Sequence, residues 1–301
     1  MWRTGLALLA LVPGCRRASS LPTVARAWEA MGTTFSVAVW GRDTARLARA
    51  ADQAFDSVRL VDSLLSTDSD SSEISRVNRR GGGRRLSAVF AAVLGASLDV
   101  ARRSRGAFDP TQHDWRGVTF DSTRGTVALR RGMALDFGGI AEGYALDRAL
   151  LPFRGVADSA VLDLGGQYLV MTTATVPGAK GSGRQVGVVD PDNTLSAIAR
   201  IEIPPGTWSL STSSLVERPD HIVDPRSGKP AARARVVTTA ARDGITADAW
   251  STAFFVLGCD SALALAPQLD GVGVLCVDDR VRWSADLEGR VTLASESDRS
   301  P

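Results

Sequence analysis

Two oxygen-bearing side chains, Asp248 and Thr252, are four residues apart in the segment TADAWSTAFF. Residues at that spacing lie on one face of a helix. A carboxylate beside a hydroxyl offers hard oxygen ligands, which suit Mg²⁺ when the ion shares its coordination shell with substrate phosphates. The alternative is structural, with an aspartate favoured by the dipole at a helix start and a threonine packed in an apolar helix. The pair therefore defines a candidate metal site.

A histidine stands out in the segment RPDHIVDPRSGKP because the chain has only two. The proline, aspartate and glycine of this segment are typical of a tight turn, but a turn does not require His221. A neutral imidazole can take a proton from an attacking hydroxyl at physiological pH. The alternative is a histidine whose hydrogen bonds are satisfied within the turn. We treat His221 as a candidate general base.

The segment LDFGGIAEGYALDRA combines a predicted strand end, two glycines and a predicted helix start. Exposed N–H groups at a helix start bind phosphate, and Gly138 and Gly139 would let a phosphate approach the backbone. A plain strand–turn–helix connection capped by Asp136 is the alternative. Near the N-terminus, MGTTFSV begins a strand at Met31, and an edge strand with a glycine kink explains it equally well.

The predicted elements that would position these side chains mix helices and strands. Apolar residues recur every three or four positions over 43–66, which predicts a long amphipathic helix. A polar loop around a short helical piece follows over 66–85. Further helices are predicted over 87–104, 139–151 and 245–258, and strands over 28–41, 126–130, 133–137, 159–164, 167–172, 185–190, 197–203, 207–212, 234–241 and two C-terminal segments. The order lacks regular βαβ alternation, so we predict an α+β fold with a mixed or antiparallel sheet.

Composition excludes two classes of protein. The chain has 301 residues, 44% of them hydrophobic, which is enough for one large domain or two small ones. Its formal net charge is +2, far from the basic field of a nucleic-acid-binding protein. No run of 18 or more apolar residues follows the N-terminus, so no membrane-spanning helix is expected in the mature chain.

The N-terminal segment MWRTGLALLALVPGC has the basic start and apolar stretch of a secretory signal over residues 1–15. The residues before Cys15 resemble a bacterial lipobox, in which the cysteine becomes the lipidated first residue. We therefore expect an exported lipoprotein, anchored in a membrane through Cys15 and facing the periplasm or another extracytoplasmic side. A tether over 16–25 and one folded unit over 26–295 would follow. A plain secretory signal or a misassigned start codon is the alternative.

The two remaining cysteines are Cys259 and Cys276. A pair in an exported protein could form a disulfide. The apolar run around Cys276 favours buried thiols instead.

Seven segments, in their order along the chain, resemble the ApbE family of FAD:protein FMN transferases. They are MGTTFSV, SEISRVNR, GAFDPT, LDFGGIAEGYALD, LDLGGQ, HIVDPRSGKP and ADAWSTAFFVLG. The resemblance extends from about residue 27 to 258, and more loosely to the C-terminal strands. It implies an α+β fold similar to the tunnelling fold.

The resemblance also implies an activity, which is Mg²⁺-dependent transfer of FMN from FAD to a threonine or serine hydroxyl of an exported or membrane redox protein, with release of AMP. Matching motif positions imply that Asp248, Thr252 and the carbonyl of Ala141 bind the metal, and that His221 acts as the base. The implied flavin-nucleotide residues are Met31, Asn78, Asp109, Gly138, Gly139, Asp163, Gly166 and Thr212.

The chain departs from the family pattern at the mouth of the implied site. Glu142 stands where the family usually has lysine. Its carboxylate would repel a phosphate, which a lysine would attract. The family segment TSG is Thr212-Ser213-Ser214 here, without the glycine that allows close approach of the backbone. Two other functions stay open, namely hydrolysis of FAD to FMN and AMP by the same site, and FAD binding without catalysis by a carrier or assembly factor.

Overall fold

A computed structural model of the chain describes residues 23–172, 184–215 and 222–294. The predicted signal, Cys15 and all of the tether before residue 23 lie outside these ranges. Within them, the six α-helices are α1 Thr44–Leu65, α2 Glu73–Arg80, α3 Ala88–Arg103, α4 Ala141–Leu150, α5 Gly244–Leu257 and α6 Cys259–Leu265. Short 3₁₀ turns cover Trp115–Gly117, Leu151–Phe153, Ala266–Gln268 and Ala285–Leu287.

Sixteen strands lie in the described part of the chain. They are β1 Val24–Ala30, β2 Thr33–Trp40, β3 Gly82–Arg84, β4 Val118–Asp121, β5 Thr126–Leu129, β6 Ser159–Leu164, β7 Gln167–Thr172, β8 Arg184–Asp190, β9 Asn193–Ile203, β10 Gly206–Ser214, β11 Val223–Asp224, β12 Lys229–Pro230, β13 Val236–Ala241, β14 Gly273–Val277, β15 Val281–Trp283 and β16 Val291–Leu293.

The main sheet has eight antiparallel strands in the order β1-β2-β6-β7-β10-β13-β14-β15. Helices α1, α4 and α5 pack on one of its faces and share the larger hydrophobic core with it. A second core joins β10, β13 and β14 to the three-stranded sheet β16-β9-β8. Two small sheets, β3-β5-β4 and β11-β12, complete the fold. The predicted α+β class with antiparallel pairing is confirmed.

Helix α1 follows the predicted apolar period closely. Its buried residues are Leu47, Ala50, Ala51, Ala54, Val58, Val61 and Leu65. Asp43 caps the helix, because its side chain accepts a hydrogen bond from the N–H of Arg46 at 2.9 Å. Within the described ranges, no helix is both long enough and apolar enough to cross a membrane.

The predicted single strand over 28–41 is wrong, since the chain forms a hairpin of β1 and β2 there. Met31 and Gly32 make the turn, with φ of 53° and 73°, and Ala30 pairs with Thr33. Two-residue turns with positive φ suit the twist of antiparallel strands. The alternation of apolar residues continues through the turn, and for that reason the sequence gives no sign of the turn. Strand β1 begins at Val24, within the last residues of the predicted tether.

The predicted strand over 133–137 is not formed. This extended segment is held by other contacts: Asn78 donates to the carbonyl of Leu135 at 2.9 Å and accepts from its N–H at 2.7 Å. Asp136 donates its N–H to the carbonyl of Pro110 at 2.7 Å. These bonds satisfy both backbone groups of Leu135 and the N–H of Asp136 without a sheet partner. At the other end of the chain, three strands replace the two expected.

Cys259 and Cys276 form a disulfide, so the expectation of buried thiols is wrong. Both residues are buried, and their Cα atoms are 5.5 Å apart. The bond joins the first residue of α6 to the next-to-last residue of β14. Their burial in an apolar environment is therefore compatible with pairing, because the disulfide is itself apolar.

Candidate active site

A cavity of about 650 Å³ opens where the β6–β7 turn meets the start of α4 and the central part of α5. A volume of this size is typical of small-molecule sites. Segments distant in sequence line it. They are Thr33, Ala107–Asp109 with Gln112, Asp136, Gly138, Gly139 and Glu142, the turn Gly165–Tyr168, the β8 residues Val186, Gly187 and Val189, residues 210–214, Ile222, Val223 and Pro225, and Asp248 with Thr252. The cavity therefore collects most of the motifs that the sequence singled out.

Strand register explains why β10 faces the cavity. β10 pairs with β7 up to Leu210 opposite Tyr168, so the following residues extend level with and beyond the β6–β7 turn. That turn is Gly165 and Gly166, with φ of 60° and 88°. Thr212 is therefore exposed to the cavity next to two residues without side chains. Its hydroxyl is hydrogen-bonded to that of Thr238 at 2.8 Å.

The predicted metal pair lies on one face of α5, and both residues line the cavity. Asp248 is 7% exposed, and its Oδ2 accepts a hydrogen bond from the N–H of Gly143 at 2.9 Å. A Cβ at Gly139 would be only 2.9 Å from Oγ1 of Thr252, so glycine keeps that hydroxyl accessible. Ala141, whose carbonyl is the third predicted ligand, is the first residue of α4 and is buried.

The electrostatics of Asp248 fit a cation. Burial raises the pKa of Asp248 to about 7, against the N–H of Gly143 and the side chain of Ser211, which lower it. A buried carboxylate is costly when ionised unless a positive charge or donors stabilise it. The described cavity lining contains four carboxylates, Asp109, Asp136, Glu142 and Asp248, and no lysine or arginine. A bound divalent cation would supply the missing positive charge.

Oxygen chemistry supports the same conclusion. Gln167 is 4% exposed and lines the cavity, and its Oε1 has no hydrogen-bond partner among the described residues. Asp248, Thr252 and this amide oxygen are all hard donors of the kind that Mg²⁺ and its bound waters accept. Nowhere in 23–172, 184–215 or 222–294 do three or more His, Cys, Asp or Glu side chains gather as a possible metal site. The predicted site has one carboxylate, so it remains a prediction.

The other predicted nucleotide residues fall into two groups. Asp109, Gly138, Gly139, Gly166 and Thr212 line the cavity. Met31, Asn78 and Asp163 are not among the residues that line it. Met31 lies in the β1–β2 turn and donates its N–H to Asp62 at 3.2 Å. Asn78 supports the cavity indirectly, because it holds Leu135 next to the lining residue Asp136.

Two aspartates shape the cavity through backbone hydrogen bonds. Asp109 accepts from the N–H and hydroxyl of Thr111, both at 2.7 Å, and from the N–H of Trp115 at 2.9 Å. Asp163 accepts from the N–H of Gly166 at 3.0 Å, and burial raises its pKa to about 6. These bonds fix the loop and the turn that form two walls of the cavity.

The candidate base His221 lies outside the described residues. Its flanks are informative, since Ser214 before it and Ile222 after it both line the cavity. Sequence reasoning missed Gln167 and Tyr168, which also line it. The only sequence signal for them was their position directly after a Gly-Gly turn.

Comparison with known proteins places these observations in a family context. The family model described as the ApbE family matches residues 31–114 and 111–276. A Treponema pallidum protein named FAD:protein FMN transferase is 28% identical, over 97% of this chain and 96% of its own length. A Salmonella typhimurium protein of the same name is 25% identical, over 85% of this chain and 86% of its own.

Solved structures show the same fold. The crystal structure of the ApbE protein from Thermotoga maritima superposes with a TM-score of 0.75 at 24% identity, covering 87% of this chain and 97% of that one. The flavin transferase ApbE from Vibrio cholerae gives 0.74 at 19% identity, covering 89% and 98%.

Proposed function

Because this chain belongs to the ApbE family, we propose that it transfers FMN from FAD to a threonine or serine hydroxyl of an exported or membrane redox protein, with Mg²⁺ bound and AMP released. One observation carries the proposal: Asp248, Thr252 and the Gly138-Gly139 turn, more than 100 residues apart in sequence, line one cavity. These are the groups that a pyrophosphate and its metal require.

The chain's residues divide the reaction between them. Gly138 and Gly139, which have no side chains, would let the diphosphate approach the backbone of the turn before α4. Asp248, Thr252 and the carbonyl of Ala141 would hold the Mg²⁺. When bound, the ion offsets negative charge that develops on the phosphoryl oxygens. The described lining holds four carboxylates and no lysine or arginine, so the ion would supply positive charge that the diphosphate needs there.

His221 completes the reaction as the base. The acceptor hydroxyl loses its proton to the imidazole while its oxygen bonds to the phosphorus of the FMN moiety. The bond from that phosphorus to the bridging oxygen breaks, and AMP leaves with the oxygen and its charge. The nearest described residues on either side of His221 in the sequence, Ser214 and Ile222, line the cavity, which supports this role.

The direct test incubates the purified protein with FAD and Mg²⁺, with and without co-expressed candidate acceptors. We expect AMP release that depends on an acceptor, and an acceptor whose intact mass increases by one FMN. Fast AMP release without any acceptor would instead identify an FAD pyrophosphatase. Stable FAD binding without AMP release under any condition would identify a flavin carrier.

Replacing His221 by glycine is expected to lower the transfer rate at least about 100-fold, in the usual range for loss of a general base, with FAD affinity nearly unchanged. His113 is the matched control, because it is the other histidine of the chain and is exposed. His113→Gly should leave transfer intact. Comparable loss of FAD affinity in His221→Gly would make His221 a binding residue.

Substitution of Glu142 tests whether its carboxylate weakens FAD binding. Changing it to lysine should tighten FAD binding, measured by flavin fluorescence without Mg²⁺, by at least about fivefold. Unit charges 4 Å apart interact by about 1 kcal/mol even in water, and this change alters the local charge by two units. Glu142→Gln should give an intermediate affinity. If both variants bind FAD as the wild type does, Glu142 does not face the phosphates.

We also propose that the protein is exported and anchored in a membrane. A secretory signal with Cys15 in a lipobox-like context supports an exported, membrane-anchored enzyme. The disulfide between Cys259 and Cys276 supports export independently, because such bonds persist in oxidising compartments. Cys15→Ser should release the protein from the membrane fraction.

A further inference from the structure

Helices α4 and α5 touch backbone to backbone at Gly143 and Gly244, a contact called here the helix crossing. A Cβ on Gly143 would be 2.1 Å from the carbonyl oxygen of Gly244, and one on Gly244 would be 2.2 Å from that of Gly143. No real side chain tolerates such distances. The glycines are therefore required by close approach.

Each helix also donates N–H groups of its first turn to a carboxylate of the other. Asp147 of α4 accepts from the N–H groups of Gly244 and Ile245 at 2.6 and 2.9 Å, one on each of its oxygens. In the opposite direction, Asp248 of α5 accepts from the N–H of Gly143. First-turn N–H groups lack partners within their own helix, so these bonds satisfy them and join the two helices.

The main sheet adds a third contact to Gly244. Gln167 at the start of β7 donates its Nε2 to the carbonyl of Gly244 at 3.0 Å. Gly244 is thus held at its N–H by Asp147, at its carbonyl by Gln167 and at its Cα by Gly143. Gly244 is four residues, or one helical turn, before Asp248. Its placement fixes where the side chain of Asp248 enters the cavity.

Ordinary capping does not explain Asp147. Helix α5 already has its own cap, because the side chain of Asp243 accepts from the N–H of Thr246 at 2.9 Å. Asp147 is contributed by another helix, and it is not among the residues that line the cavity. It is therefore outside the cavity wall, and among the described residues both hydrogen bonds of its carboxylate come from the helix that carries the metal pair.

We propose that Asp147 is a positioning residue that holds the start of α5 at the helix crossing and thereby sets the metal affinity of Asp248 and Thr252. This inference rests on the proposed function, which assigns the metal to that pair. Its mechanism is geometric. Loss of either hydrogen bond lets the first turn of α5 move away from α4, and the carboxylate of Asp248 moves with it.

The test replaces Asp147 by asparagine, which has nearly the same shape but presents an NH₂ group to one of the two N–H donors. We expect Mn²⁺ affinity, measured by electron paramagnetic resonance on protein without FAD, to fall about tenfold, as when supporting partners of metal ligands are removed. The Mg²⁺ concentration for half-maximal AMP release should rise by the same factor. The rate at saturating Mg²⁺ should return to near the wild-type value.

Asp243→Ala is the matched control, because it removes the other side chain that accepts at the start of α5 without touching α4. It should lower the melting temperature but leave Mn²⁺ affinity unchanged. Equal Mn²⁺ affinity in Asp147→Asn and wild type, or an equal loss in both variants, would overturn the inference. If wild-type protein binds no Mn²⁺, the metal assignment itself fails. Asp147→Ser, with a single acceptor, serves as the second variant if the asparagine variant is insoluble.

Discussion

Changing Asp248 to asparagine is expected to abolish Mg²⁺-dependent FMN transfer, with a loss of at least about 100-fold. Asparagine keeps the shape of the side chain and can still accept the N–H of Gly143, but it removes the only charged ligand of the proposed metal set. Neutral amide oxygen is a much weaker partner for a divalent cation than carboxylate. Mn²⁺ binding should disappear together with transfer.

The stability of Asp248→Asn, unlike its activity, should not fall. The raised pKa of Asp248, about 7, shows that the folded protein disfavours its ionised form when no metal is bound. The cost grows from about pH 3.8, where the side chain ionises in the unfolded chain, and is complete above pH 7. A neutral asparagine removes it, so the melting temperature at neutral pH should be unchanged or higher. Loss of activity with a retained or increased melting temperature separates a role in the reaction from a role in folding.

The control is another buried carboxylate at a helix start. Glu73 accepts hydrogen bonds from the N–H and hydroxyl of Ser87 and is not among the residues that line the cavity. Glu73→Gln should cost stability and leave transfer unchanged. Normal transfer by Asp248→Asn would show that the metal lies elsewhere.

Local patterns in the sequence predicted the helices best. The apolar period of α1 and the spacing of Asp248 and Thr252 on α5 depend only on residues one or two turns apart, and both were correct. The same reasoning brought Asp248 and Thr252 to one face before any tertiary contact was known. Periodicity is a property of the element itself, so it survives in a single sequence.

Errors arose where the deciding contact was distant or concealed. The turn at Met31 was hidden because alternation continued across it. The segment around Leu135 has a strand-like sequence, but Asn78, 57 residues away, takes its hydrogen bonds. The pairing of Cys259 with Cys276 depends on β14 reaching the start of α6. None of these partners leaves a local signal.

The helix crossing shows the same limit. Gly143 and Gly244 are 101 residues apart in the sequence, and each looks like an unfavourable residue in a helix start. Glycine is required at both positions because the two helices touch there, and a single sequence does not reveal that contact. Asp147 was similarly indistinguishable from a solvent-exposed aspartate on a helix.

Replacing Gly143 by alanine is expected to destabilise the fold by at least about 3 kcal/mol, the upper end of the usual cost of overpacking. The added Cβ would lie 2.1 and 2.5 Å from the carbonyl oxygen and carbon of Gly244, and 2.8 Å from the Cβ of Asp248. Two of these three atoms are backbone, so relief requires the helices to separate. For a chain of this size, the melting temperature should fall by about 6 °C or more.

Gly95 in α3 provides the matched control, because it is also a helical glycine. The nearest atom to its added Cβ would be a ring carbon of Phe120 at 3.6 Å, an ordinary contact. Gly95→Ala should therefore stabilise the protein by up to about 1 kcal/mol, as alanine normally does in a helix. The two substitutions are chemically identical, so opposite signs isolate the helix crossing as the cause. A Gly143→Ala protein that melts like Gly95→Ala would mean that α4 and α5 do not touch there, and the positioning of Asp248 through that contact would have to be abandoned.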